Sequence, residues 1–149
     1  MSAQAWKVFN KAKKKIGNAT ISLSAATFRA CLYTSASNFA TLTLSTYASL
    51  TNEVTSVAAS YSSSGKAMTS VAWTVGTSAK QYKFDVGDFF WSANAQIANI
   101  KGCVIWATGA SALARHVLAT TSLTSTQFNL AAGNRLTIAI NSGGVFTLA

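Results

Sequence analysis

Proline is absent from this sequence, and it holds one histidine, two cysteines and three acidic residues. Each shortage removes a class of function. Turnover needs groups that titrate, attack or coordinate. His116 is a lone imidazole in the alternating run Ala114-Arg115-His116-Val117-Leu118, which predicts a position facing solvent or an interface beside a strand. No nucleophile or orienting partner stands near it. One histidine and two separated cysteines do not complete a tetrahedral zinc site within one chain. Phosphate loops and dinucleotide fingerprints are missing, and Gly143-Gly144 reads as hairpin chemistry. The sequence therefore predicts no catalytic residue, no cofactor and no metal.

The acidic residues are Glu53, Asp85 and Asp88. Asp85 and Asp88 flank Gly87 in Phe84-Asp85-Val86-Gly87-Asp88-Phe89-Phe90-Trp91. A calcium site wants about six or more oxygen ligands. A turn fits better, with Gly87 at positive φ and each carboxylate accepting from local backbone N–H groups. For Glu53 the expectation is a salt bridge or a bond to backbone. Cys31 and Cys103 sit in apolar runs and are predicted to be buried free thiols. No window approaches the roughly eighteen apolar residues of a membrane span, so no membrane partner is expected. The basic, amphipathic start does not resemble a signal peptide, and synthesis in a reducing cytoplasm is expected. Without proline, one device that blunts exposed sheet edges is missing. Pairing across a subunit boundary or barrel closure then has to protect them.

What the sequence does hold is small and uncharged. Half of its residues are apolar and 10% are charged, against about 25% in ordinary soluble domains. Ser, Thr, Asn and Ala take the place of charge, a composition suited to packing against neighbours. The 149 residues fit one domain, which buries about 70% of its unfolded surface. The net charge is +9. Lys7, Lys11, Lys13, Lys14 and Lys15 crowd the start, while the other seven cations are scattered singly. Between Ser2 and Gly17, a possible Ser2 cap, cations in the last turns and a Gly17-Asn18 stop predict a helix of about fourteen residues. Ala5, Val8, Phe9, Ala12 and Ile16 form its apolar stripe, with Trp6 at the edge. An extended arm that orders only on assembly is the alternative. Trp6, Lys7, Phe9, Lys11, Lys13, Lys14 and Lys15 are the candidate anchor. Docking on an acidic protein leads, ahead of a merely solvated helix end and of sequence-independent phosphate binding.

From Thr20 the apolar period changes to two. Thr27–Tyr33, Gly65–Trp73, Gln81–Val86, Ile97–Ala107, Ala114–Thr120, Gln127–Leu130, Arg135–Ile140 and Val145–Leu148 are the predicted strands. Turn-formers separate them, including Ser62-Ser63-Ser64-Gly65, Val75-Gly76-Thr77, Thr108-Gly109-Ala110, Ala132-Gly133-Asn134 and Ser142-Gly143-Gly144. Leu42–Val54 fits a helix or a strand equally. No internal repeat is present. The predicted class is mainly β: an antiparallel β-sandwich or jelly-roll-like barrel over residues 19–149, with an N-terminal amphipathic basic helix or arm over residues 1–18.

Ordered elements over nearly the whole chain carry a resemblance. They begin with Ala5-Trp6-Lys7-Val8-Phe9-Asn10-Lys11-Ala12-Lys13, Gly17-Asn18-Ala19-Thr20-Ile21-Ser22-Leu23 and Thr27-Phe28-Arg29-Ala30-Cys31-Leu32-Tyr33-Thr34-Ser35. Leu44-Ser45-Thr46-Tyr47-Ala48-Ser49-Leu50-Thr51-Asn52-Glu53-Val54 and Tyr61-Ser62-Ser63-Ser64-Gly65-Lys66 follow. Phe84-Asp85-Val86-Gly87-Asp88 ahead of Trp91, Ala98-Asn99-Ile100-Lys101-Gly102-Cys103-Val104-Ile105-Trp106 and Gly144-Val145-Phe146-Thr147-Leu148 complete the series. In this order the chain resembles a family of small structural proteins encoded among the virion-morphogenesis genes of tailed bacteriophages. The resemblance implies a virion component without catalytic residues. A capsid cement or decoration protein is expected first, and a neck or tail protein second. The implied partners are the major capsid protein or other virion proteins, and copies of itself, a trimer being favoured. Trp6, Phe9, Phe39, Phe89 and Phe90 are the aromatics that suit such contacts. Nucleic acid is the less favoured partner.

Overall fold

The computed structural model describes residues 3–76, 80–109 and 114–148. In chain order its elements are β1 (Lys7–Val8), α1 (Asn10–Gly17), β2 (Phe28–Tyr33), a 3-10 turn (Tyr47–Ser49), β3 (Lys66–Ala67), β4 (Ala72–Val75) and β5 (Tyr82–Asp85). They continue with β6 (Phe89–Ser92), β7 (Ile97–Ile100), β8 (Gly102–Thr108), β9 (Arg115–Ser122), β10 (Phe128–Leu130), β11 (Arg135–Ile138) and β12 (Phe146–Leu148). Among the described residues strands and isolated bridges make up 40% and helical turns 8%, so the mainly β class follows the expectation.

Every strand pair is antiparallel. The largest sheet has five strands in the order β1-β9-β8-β2-β3, and β1 and β3 end it without meeting, so it is not a closed barrel. The other sheets are β10-β7, β11-β6 and β12-β5-β4. β8 and β9 run through the middle of the five-stranded sheet and are buried along almost their whole length. α1 and the 3-10 turn both lie against β9. A strand covered on both faces loses its polar alternation, which is why Cys103-Val104-Ile105-Trp106 reads as one apolar run. Gly102 opens β8 because the Phe39 ring sits where a side chain would be: an added Cβ would lie 2.4 Å from it.

Each of the eight predicted segments contains a strand, with two divided. Ile97–Ala107 breaks at Lys101, whose N–H donates to Tyr33 O (2.8 Å), and β7 leaves to pair with β10. Gly65–Trp73 yields β3 and the start of β4 in different sheets. β1 lies inside the expected helix and was not predicted. β6, which alternates buried Phe89 and Trp91 with exposed Phe90 and Ser92, is the strand that a turn between two strands at Asp85–Asp88 implies, without a predicted range. Leu42–Val54 is neither helix nor strand: it holds the 3-10 turn and the bridges Tyr33↔Glu53 and Thr46↔His116. The expected Ser2 cap and the turn residues Thr77 and Ala110 lie outside the described residues.

The thiols of Cys31 and Cys103 are free and buried, as predicted. Trp106 Nε1 donates to Cys31 Sγ (3.2 Å). Burial raises both thiols well above their ordinary value, so neither is a nucleophile in the folded chain.

Candidate functional site

From Gln4 to Phe9 the chain is built into the sheet, so the expected helix of about fourteen residues from Ser2 to Gly17 is corrected to a shorter one. Gln4 N–H donates to Ser122 O (2.9 Å) and Thr121 Oγ1 donates to Gln4 O (2.6 Å). β1 then pairs with β9, Lys7 opposite Thr120 and Val8 opposite Ala119. Phe9 N–H donates to Leu118 O (3.0 Å), and its ring is fully buried. The helix therefore spans only Asn10–Gly17, eight residues. It starts late because Lys7 to Phe9 spend their backbone groups on β9 or on seating Phe9 in the core. Its left-handed stop is Ala19 (φ 59°) rather than the expected Gly17-Asn18, and Asn18 Oδ1 accepts from Thr20 N–H (3.2 Å).

The seven candidate anchor residues consequently divide. Lys7, Lys11, Lys13 and Lys14 are exposed, Trp6 is half-buried against the core, and Phe9 belongs to the core. Lys15 turns inward, its ammonium donating to Ser45 O (3.2 Å) and meeting His116 Nδ1 at 2.6 Å. Of the other aromatics expected at contacts, Phe39 and Phe89 are buried and Phe90 is exposed.

His116 is buried rather than facing solvent, a consequence of the bulge between Ile105 and Trp106 where β8 meets β9 and of its bridge to Thr46. An ammonium has only donors, so Nδ1 is the acceptor and the ring is neutral. Burial, then the neighbouring Lys15 charge, hold its pKa below the usual value, against a smaller opposing effect of Ser45 O.

Among the described residues the Glu53 side chain bonds neither a cation nor backbone, contrary to expectation. Its carboxylate accepts from Tyr61 Oη (2.6 Å) and from Tyr47 Oη. Tyr61 Oη in turn accepts from Leu32 N–H (3.0 Å), and Tyr47 Oη from Ser64 N–H (3.2 Å). Burial and this carboxylate push the Tyr47 phenol up to about 12. The arrangement ties β2, the 3-10 turn and the 60s loop together. Asp85 accepts locally from Val86 N–H (3.0 Å), as expected, and pairs with Lys83 (3.1 Å). Asp88 instead accepts from the distant Ile140 N–H (2.8 Å), just beyond β11, and Gly87 is not at positive φ. Among the described residues no group of three His, Cys, Asp or Glu is placed to hold a metal, and no helix is long and apolar enough to cross a membrane.

Cations that are single in sequence meet in space. Arg29 (β2) donates to Ser64 O (2.9 Å) and Gly65 O (2.5 Å). Arg115 (β9) donates to Ser64 Oγ (3.2 Å) and lies over the Tyr47 and Trp106 rings. Lys66 (β3) follows directly in the same loop and reaches the Phe90 ring, which Arg135 (β11) also approaches. No spacing in the sequence announces this cluster, since its members come from four strands. The surface therefore carries two cationic regions, the lysines of β1 and α1 and the cluster around the 64–66 loop. No family model matches this chain, and no curated protein and no solved structure is significantly similar to it.

Proposed function

We propose that this chain is a structural virion protein of a tailed bacteriophage, a capsid cement or decoration protein that stabilises the shell by contact. The observation that carries the reading is the rigid display of Lys7, Lys11, Lys13 and Lys14. All four are exposed on a strand and helix held by backbone bonds to β9 and by the buried Phe9. Ordering these side chains costs little when their backbone is already fixed, so an acidic shell surface gains their charge at a low entropic cost. The titratable groups inside the body are engaged structurally: Glu53 by two phenols, His116 by Lys15, and both thiols by burial. We also infer a sandwich-like layering of the sheets. Phe28 of β2 against Phe84 of β5 (4.8 Å between ring centroids) supports it, since it joins the five-stranded sheet to the β12-β5-β4 sheet.

Deleting residues 1–17 would remove Phe9 and β1 and so confound binding with folding. The test is instead Lys7→Glu, Lys11→Glu, Lys13→Glu and Lys14→Glu combined, with binding measured on empty phage particles. A loss of about tenfold or more is expected, as for charge pairs lost across an interface, and undiminished binding refutes the anchor. Imaging that places the chain in a ring at the neck or tail would move the protein there. Salt-sensitive DNA retention abolished by the same substitutions would favour nucleic acid as the partner.

A further inference from the structure

Lys66 Nζ and Arg135 Cζ each lie 4.2 Å from the centroid of the Phe90 ring. Phe90 is one of three large hydrophobics exposed on the described surface. Its neighbours Phe89 and Trp91 point into the core, so β6 presents Phe90 by its alternation alone. Lys66 is further pinned by donating to Phe90 O (2.7 Å). Two like charges thus share one ring, and the ion pair found among the described residues, Lys83–Asp85, engages neither. Beside them is a hollow of about 350 Å³ lined by Ser60, Ser62 and Ser92 with Lys66, Phe90 and Trp91, and no carboxylate enters it. Arg29 of β2 and Arg115 of β9 add positive field where they bond to Ser64 and Gly65 of the same loop.

We propose that the Lys66–Phe90–Arg135 face is a second contact surface, separate from the N-terminal lysines, that takes an acidic segment of a protein partner. An anion seated between the two heads relieves their repulsion through charge-assisted hydrogen bonds to both. An exposed aromatic beside an arginine is the composition of an interface centre. Nucleic acid fits less well, because the cations lie over the ring that a base would use for stacking. The proposal does not depend on the cement reading, because any partner with a suitable acidic segment satisfies it.

The test uses the intact chain with poly-L-glutamate and, separately, an oligothymidylate in low salt. Arg135→Glu is compared with Lys80→Glu, an exposed position with the same change in charge. Arg135→Glu is expected to weaken poly-glutamate binding about tenfold and Lys80→Glu less than about twofold, as local rather than net charge dictates. Phe90→Leu keeps every charge and is expected to weaken it about threefold by loosening both cations. Equal losses for Arg135→Glu and Lys80→Glu overturn the proposal. So does an Arg135→Glu loss confined to oligothymidylate. Neither result bears on the N-terminal lysines, which none of these variants alters.

Discussion

Acid is expected to loosen the seat of α1 on β9 through the single histidine. His116 Nδ1 accepts from the Lys15 ammonium at 2.6 Å, and the same ammonium donates to Ser45 O at 3.2 Å. The His116 pKa is held below its ordinary 6.5, first by burial and then by Lys15. The folded chain therefore binds this proton less readily than the unfolded one. The associated stability is fully present above pH 6.5 and is lost as the pH falls through the lower folded value. Protonation deletes the acceptor and sets an imidazolium against an ammonium, with Lys11 adding to the positive field at Lys15. Losing a hydrogen bond to a charged group costs about 1.5–3 kcal/mol. Repulsion adds little more, because the half-buried Lys15 has a route to water. At about pH 5.3, about 1.2 pH units below the unfolded value, linkage caps the loss at about 1.6 kcal/mol, which lowers the melting temperature of a domain this size by about 3–6 °C. Thermal unfolding followed by circular dichroism at about pH 7.5 and about pH 5.3 spans the ordinary histidine value. The wild-type chain should lose those degrees on acidification, whereas His116→Gln, which keeps an acceptor and cannot titrate, should lose far fewer. An equal acid loss in both proteins, or none in the wild type, refutes the reasoning.

Substitutions at Gly65 and Glu53 probe the loop that gathers the cations and its support, with Gly133 as a reference position. Gly65 has φ 73°, and a Cβ there would lie 2.0 Å from Ala30 O. Adding a left-handed penalty to overpacking, Gly65→Ala should cost about 3 kcal/mol in urea unfolding. Gly133→Ala has φ 83° but nothing within 4 Å and should cost only about 1 kcal/mol; similar costs at the two positions would refute the steric account. Glu53→Ala leaves two phenols without their acceptor and should cost about 2–3 kcal/mol by the same measurement. Glu53→Gln, which retains one acceptor oxygen, should cost less, and a reversed ranking would mean the carboxylate is not what holds Tyr47 and Tyr61.

Most strand positions, though not β1, and the burial of the two thiols are legible in the amino-acid order. Those properties are local, because a period-two apolar pattern commits a segment to extended backbone whichever strand it later meets. Trp6 to Ile16 shows the limit of that rule. Its helical spacing is genuine from Asn10 onward, yet β9 offers the preceding residues a backbone ladder, and a buried site for Phe9 outweighs one more helical turn. Glu53 and His116 were unreadable for the same reason, since Tyr47, Tyr61 and Lys15 become their partners only through loops that fold back over the sheet. The second cationic region, unlike the N-terminal lysines, exists only through the tertiary structure. Arg29, Lys66, Arg115 and Arg135 occupy strands whose neighbours are set by pairing across long stretches of chain, and a field made of contacts that remote leaves no periodic trace in the sequence.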